Sequence, residues 1–228
     1  MTPLVCLPGH MCDARQWGPQ IAAFSASRTI LLPEVAGADS MEALAAAVLA
    51  QAPPRFALAG LSMGGIVAME VLRQASGRVE RLALLDTNPL SEAEEVKAAR
   101  RERMARVEAG QLAEVVRDEM KPLYLAERDP ELLDLCLDMA VALGPEAFLR
   151  QSRALMDRPD QSGTLRAFQG PALVLHGAED RLVPLARAEL MAGLMPQATL
   201  TLIPRAGHLP TLEQPAATNA ALAGWLSP

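Results

Sequence analysis

Aromatic side chains are scarce in this chain: four Phe, two Trp and one Tyr stand among 228 residues, against eleven Met. A pocket built from such a sequence has few rings to stack on a ligand and is expected to be aliphatic and adaptable. Cysteine is scarce as well. Cys6, Cys12 and Cys136 are too few, and odd in number, for a disulfide framework, so they read as reduced thiols of a cytoplasmic protein. No CxxC pair and no group of His with Cys has metal-ligand spacing, so no metal is expected. Basic residues are in deficit: 21 Lys and Arg against 27 Asp and Glu leave a formal net charge of −6. Tracking a phosphate backbone needs clustered excess cations, which excludes nucleic acid as a partner. Uninterrupted apolar runs of about 18 residues are missing, so no membrane span is expected. The N-terminal apolar stretch lacks a basic leader and breaks at Pro8-Gly9, so it does not read as a signal peptide.

Half of the residues are hydrophobic, enough for one domain with a sizeable core. Short apolar runs recur at Pro3–Leu7, Thr29–Leu32, Phe56–Leu61, Leu82–Leu85, Ala172–Leu175 and Thr199–Ile203. Most are continuously apolar, as strands buried on both faces are; the last alternates, which suits an edge. Helical patterns between them predict an α/β fold, a parallel sheet with helices on both faces. Asp13 is read as the cap of a helix over Ala14–Phe24, Asp39 with Glu42 as that of Met41–Ala52, and Ser91 with Glu94 as a capping box before Glu92–Glu108. Pro130 and Pro145 suit first helical turns. Gly64–Ser76 is apolar almost all round and is expected to be a buried helix. Residues 91–168 contain no good strand and read as a helical cap inserted into a core of residues 1–90 and 169–228.

Gly60-Leu61-Ser62-Met63-Gly64 is a G-x-S-x-G pattern between a strand and an apolar helix. A serine at so sharp a turn needs small neighbours two residues away on either side, and Gly60 and Gly64 supply them. The helix N-terminus beneath it favours developing negative charge. A glycine-rich turn with no chemistry would look the same locally, but a phosphate loop would need a Lys after Gly65, and none follows. No nucleotide cofactor is expected. A serine hydroxyl needs a base. Of the three histidines, His208 follows the last strand at the carboxyl end of the sheet, where sites in such folds gather; His176 ends the preceding strand and His10 follows the first. The acid that orients the base is read as Asp180, just past a strand, with Asp86 and Glu179 as competitors. The order Ser62, Asp180, His208 is that of nucleophile, acid and base in one known fold class.

Leu7-Pro8-Gly9, Gly60–Gly65, Gly177–Pro184 and Gly207–Pro215, with its G-H-x-x-x-x-E-x-P pattern, together resemble the α/β-hydrolase superfamily over nearly the whole chain. The resemblance points to its small carboxylesterase-like branch, which includes enol-lactonases and pimeloyl-ACP methyl ester esterases. It implies an oxyanion hole formed by the backbone N–H groups of His10 and Met63. Where the family usually has His-Gly after the first strand, this chain has Pro8-Gly9. The family's opening antiparallel hairpin is also not found before Pro3–Leu7, which predicts a shortened, mainly parallel sheet of six strands.

These residues imply a serine hydrolase of carboxylic esters acting on a small-molecule substrate, with activity that falls as acid protonates the base. Lactone, thioester or carbon–carbon cleavage and peracid formation could use the same triad, and a non-catalytic binding protein could share the fold. Haloalkane and epoxide chemistry would place Asp where Ser62 stands. Lys97, Arg100, Arg101, Arg103 and Arg106 form a basic patch on the insertion. It reads either as a solvated helix face or as a dock for an acidic acyl-carrier protein.

Overall fold

The computed structural model describes residues 1–227. Six strands form one wholly parallel sheet: β1 (Leu4–Leu7), β2 (Ile30–Leu31), β3 (Phe56–Leu61), β4 (Val79–Leu85), β5 (Ala172–Gly177) and β6 (Ala198–Ile203), in the order β2-β1-β3-β4-β5-β6. Side chains alternate along each strand. Leu4 and Cys6 of β1 enter the core on one face, Val5 and Leu7 the core on the other. β3 and β5 are buried throughout and β4 is buried apart from Glu80 and Arg81, whereas β6, at the edge that its sequence pattern suggests, buries only Ile203 and exposes Thr199 and Leu202.

The connection after β1 runs to one side of it and the connection after β2 to the other, so the strand order reverses between β1 and β3. Such a reversal opens a crevice at the carboxyl ends of the strands. The loops carrying Gly9 and Ser62 lie on its two sides.

Helices α1 (Gly18–Phe24), α2 (Met41–Gln51) and α3 (Met63–Ala75) cover this half of the sheet. Residues 63–72 of α3 are all buried, and the acid among them, Glu70, is held by Arg73, Gln74 and Gln161. Residues 14–17, expected as the start of α1, form a separate 3-10 turn capped by Asp13. The cap of α2 is Ser40, whose hydroxyl accepts from the N–H of Ala43, rather than Asp39.

Between β4 and β5 the described chain is helical throughout: α4 (Glu94–Glu108), α5 (Leu112–Glu114) with the short turns that follow it, α6 (Pro130–Met156) and α7 (Ser162–Ala167). The expected capping box at Ser91 is not formed, because α4 starts at Glu94. Glu92 points inward instead and takes two arginines, an arrangement that no capping rule anticipates. Gly144, at φ 80° and ψ 174°, breaks α6, and Pro145 restarts it, as a proline in a first turn can. The acidic stripe Glu131, Asp134 and Asp138 is exposed, while Cys136, Met139 and Ala140 are buried against the rest of the protein. Helices α8 (Leu185–Leu194), α9 (Pro210–Glu213) and α10 (Pro215–Leu226) complete the layers. No helix among the described residues is long and apolar enough to cross a membrane.

Candidate active site

Ser62 sits where β3 meets α3 with φ 54° and ψ −118°. This left-handed conformation costs a non-glycine residue about 1–3 kcal/mol and persists only where the surroundings impose it. Several contacts impose it here. The N–H of Ser62 donates to the carbonyl of Leu85 at 2.8 Å, and its carbonyl accepts from the Thr87 hydroxyl at 2.7 Å. A side chain at Gly60 would overlap the backbone of Gly64, and one at Gly64 would overlap the carbonyls of Leu7 and Pro8. The glycines of the motif therefore permit close backbone approach at the elbow.

His208 Nε2 lies 2.8 Å from Ser62 Oγ, and His208 Nδ1 lies 2.8 Å from Asp180 Oδ2. A carboxylate only accepts, so Asp180 fixes the ring proton on Nδ1 and leaves Nε2 free to accept from the serine hydroxyl. The other Asp180 oxygen accepts from the N–H groups of Leu182 (2.7 Å) and Val183 (3.2 Å). Burial acts to raise the pKa of Asp180, but His208 and these hydrogen bonds outweigh it and hold the carboxyl below its ordinary range. Of the sequence-predicted residues, Ser62, His208 and Asp180 thus come together in one hydrogen-bonded chain. Glu179 is exposed and stays outside it.

The His208 loop is clamped by the helical insertion. The N–H of His208 donates to the carbonyl of Tyr124 at 2.7 Å. Glu213 accepts from Ala126 (2.7 Å), Gly207 (2.9 Å) and Leu209 (3.1 Å), so the Glu of the G-H-x-x-x-x-E-x-P pattern joins the loop to residue 126. Gly207 has no room for a side chain: a Cβ there would lie 2.6 Å from the nitrogen of Ala126 and 2.8 Å from the carbonyl of Tyr124. Gly207→Ala is expected to lower stability by about 1–3 kcal/mol, the usual cost of overpacking. A displacement of His208 by ~1 Å would also lower kcat on the order of 100-fold. Thermal unfolding and steady-state kinetics on the variant check both effects.

His10 and Met63 flank Ser62 at the floor of the crevice. The His10 N–H has no partner among the described residues, and Met63 opens a helix whose first N–H groups lack intrahelical acceptors. Two buried glutamines missed by sequence reasoning hold this loop. Gln16 accepts from Gly9 N–H at 2.8 Å, and Gln151, from α6, accepts from Met11 N–H at 2.9 Å. The sequence carries no signal for them: Arg15 and Trp17 flank Gln16, and Arg150 and Ser152 flank Gln151. The His10 imidazole packs against Phe148; burial, then Arg100, Lys121 and Arg103, push its pKa well down, so it is neutral.

The cavity above Ser62 has a volume of about 260 Å³. Its apolar lining includes Leu61, Ile66, Val96, Leu123, Leu155 and Leu182, with Tyr124 as the one Phe, Tyr or Trp, as the scarcity of aromatics predicts. Cys12 also lines it, but burial pushes its thiol up to about 12, which removes it as a rival nucleophile. The basic patch divides. Arg101 and Arg106 are exposed, whereas Arg100 and Arg103 turn into the cavity, joined there by Arg158. Arg100 grips Glu92 with both nitrogens at 2.8 Å, Arg158 reaches it at 2.5 Å, and Glu119 takes Arg103 and Arg106. Burial works against ionised Glu92, but the two guanidiniums hold its carboxyl below the ordinary range. The cavity lining holds three guanidiniums, Arg100, Arg103 and Arg158, and three acids, Asp86, Glu92 and Glu119; the cations and the two glutamates stand together on the wall supplied by residues 92–158.

Asp86 and His176 lie beside Asp180. Asp86 Oδ1 accepts from Gly177 N–H at 2.8 Å, and His176 Nδ1 is 3.4 Å from that oxygen. The donor atoms of Asp86, His176 and Asp180 lie within 4.8 Å of one another; no other described group of His, Cys, Asp and Glu has metal-ligand spacing.

The family model described as "Alpha/beta hydrolase family" matches residues 4–221. A pimeloyl-[acyl-carrier protein] methyl ester esterase of Aromatoleum aromaticum is 28% identical over a 232-position alignment that covers 93% of either chain. A thermophilic esterase from Thermogutta terrifontis, solved with malate bound, superimposes with a TM-score of 0.90 at 30% identity, covering 99% of this chain and 89% of that one. The enol-lactonase from Burkholderia xenovorans LB400 has a TM-score of 0.88 at 23% identity, over 99% of this chain and 92% of that one, and bears on the fold alone.

Proposed function

This chain belongs to the alpha/beta hydrolase family and is an ester hydrolase, and from that premise we propose that it works through an acyl-enzyme on Ser62. The observation that carries this reading is the Ser62–His208–Asp180 chain of two 2.8 Å hydrogen bonds at the floor of the cavity. Ser62 Oγ attacks the carbonyl carbon as its proton passes to His208 Nε2. Asp180 stabilises the imidazolium that forms. The oxyanion accepts from the N–H groups of His10 and Met63. Collapse of the intermediate breaks the ester C–O bond, and His208 returns the proton to the leaving oxygen. Water then attacks the acyl-enzyme, giving its proton to His208, and Ser62 is regenerated with release of the acid.

Residues 91–168 act in this reading as a cap that supplies one wall of the cavity. That wall supports a finer assignment, an ester whose remote end or carrier is anionic. Arg100, Arg103 and Arg158 place guanidiniums in the cavity wall, and Arg101 and Arg106 extend the basic surface outward. Likeness to pimeloyl-[acyl-carrier protein] methyl ester esterases favours a carrier-linked acyl chain over a free neutral ester. The test compares methyl esters presented free and on an acyl-carrier protein, at rising ionic strength. The carrier-linked ester should be preferred at low salt, and the preference should shrink as salt screens the exposed arginines. Equal rates on both substrates at all salt concentrations would remove the carrier. Absence of turnover across esters, lactones and thioesters would remove the hydrolase mechanism itself.

A further inference from the structure

We propose that Asp86 is a positioning residue, a protonated carboxylic acid that donates a hydrogen bond to the Asp180 carboxylate. The inference rests on the triad reading above, because Asp86 acts through Asp180 and does not touch Ser62 or the imidazole that accepts its proton.

The Asp86 side chain is wholly buried at the carboxyl end of β4, on a backbone held at φ 44°. Its Oδ1 has one donor, the Gly177 N–H; its Oδ2 is buried with no N–H or O–H partner. No Lys or Arg answers it. The titratable groups that face it are Asp180 from the loop after β5, His176 at the end of β5, and Glu213 from α9, with His208 beyond Asp180. His176 is buried, which drives its pKa down and keeps it neutral. Two ionised carboxylates within 4.8 Å would therefore stand together in a dry site with no cation of their own.

A shared site of this kind keeps a proton, and the donors decide where. Asp180 receives three: the His208 ring N–H and the main-chain N–H groups of Leu182 and Val183. Asp86 receives one. The proton thus stays on Asp86, and turning its O–H toward Asp180 gives the orphan oxygen a partner. Burial, then the charge of Asp180, act in the same direction and raise the Asp86 pKa well above the ordinary carboxyl range. The consequence is a carboxylate fixed from both sides, by His208 in front and by a neutral acid behind. A cation could also sit between Asp86, His176 and Asp180, but a proton meets the same electrostatic need without drawing Asp180 away from His208.

The direct test is infrared spectroscopy of the full-length protein at neutral pH, comparing wild type with Asp86→Asn. The wild type should show the carbonyl stretch of a protonated carboxyl that the variant lacks. If only ionised carboxylate bands distinguish the two, the proposal is overturned. This readout needs no turnover, so it fails separately from the triad, which Ser62→Ala tests. Stability gives a second signature. The folded-state pKa of Asp86 lies above the unfolded one, so the wild type loses stability as pH rises above the free carboxyl value of 3.8 and towards the folded one. Asparagine does not titrate, and its advantage over the wild type should widen across that range; a gap that narrows with pH contradicts the proposal. In kinetics Asp86→Ala should lower kcat on the order of 10-fold with KM unchanged, as loss of an outer partner does. Asp86→Asn, which keeps an N–H donor, should recover most of that loss. Turnover abolished by a chelator and restored by a divalent cation would overturn the assignment in favour of a metal.

Discussion

Ser62→Ala should lower kcat on a p-nitrophenyl ester by on the order of 10⁶-fold, the scale of loss when the nucleophile of a serine triad is removed. Loss of the hydroxyl leaves His208 with nothing to deprotonate, and the remaining activity is whatever the backbone N–H groups give a bound ester attacked by water. The variant should fold normally. Ser62 holds its strained φ of 54° through backbone contacts to Leu85 and Thr87, and alanine makes the same ones. Circular dichroism and thermal unfolding alongside the assay separate loss of chemistry from loss of structure. Substantial turnover in a folded Ser62→Ala protein would end the acyl-enzyme reading.

Asp180→Asn should cost on the order of 10⁴-fold in kcat with little change in KM. Asn can still accept from Leu182 and Val183 through its carbonyl, but its amide then faces His208 Nδ1 as a donor. Donor against donor forces the ring proton onto Nε2, which then cannot take the proton of Ser62. The geometry would look intact while the tautomer is wrong. A loss below about tenfold would mean that Asp86, at the end of β4, serves as the orienting acid instead.

Much of this was legible because it depends on local rules. Continuous apolar runs marked the largely buried strands β1, β3, β4 and β5 and the partly buried edge strand β2, and the alternation Thr199-Leu200-Thr201-Leu202 marked the other edge strand, β6. Gly60 and Gly64 were legible because an elbow tolerates nothing larger. The sequence order of Ser62, Asp180 and His208 suggested a common site, although residues so far apart meet only through the strand order of the sheet. What escaped is what long-range packing decides. Gln16 and Gln151 look like ordinary helix residues until the loop they hold is seen, because their partners, Gly9 and Met11, are reached through the fold. Glu92 read as part of a helix start, yet Arg100 and Arg158 draw it into the interior. The basic patch read as one surface because charge spacing on a helix does not tell which turn faces a cavity. Asp86 read as a rival to Asp180, while in the structure it lies beside Asp180 with its Oδ1 on Gly177.

The account stands or falls on a serine hydroxyl made nucleophilic by His208. A fluorophosphonate probe reacts with such a hydroxyl and forms a phosphoryl adduct that peptide mass spectrometry can locate. One adduct per chain, on the peptide carrying Ser62 and lost in both Ser62→Ala and His208→Ala, is the predicted result. A folded protein that takes no adduct, or takes it on a different residue, would contradict it.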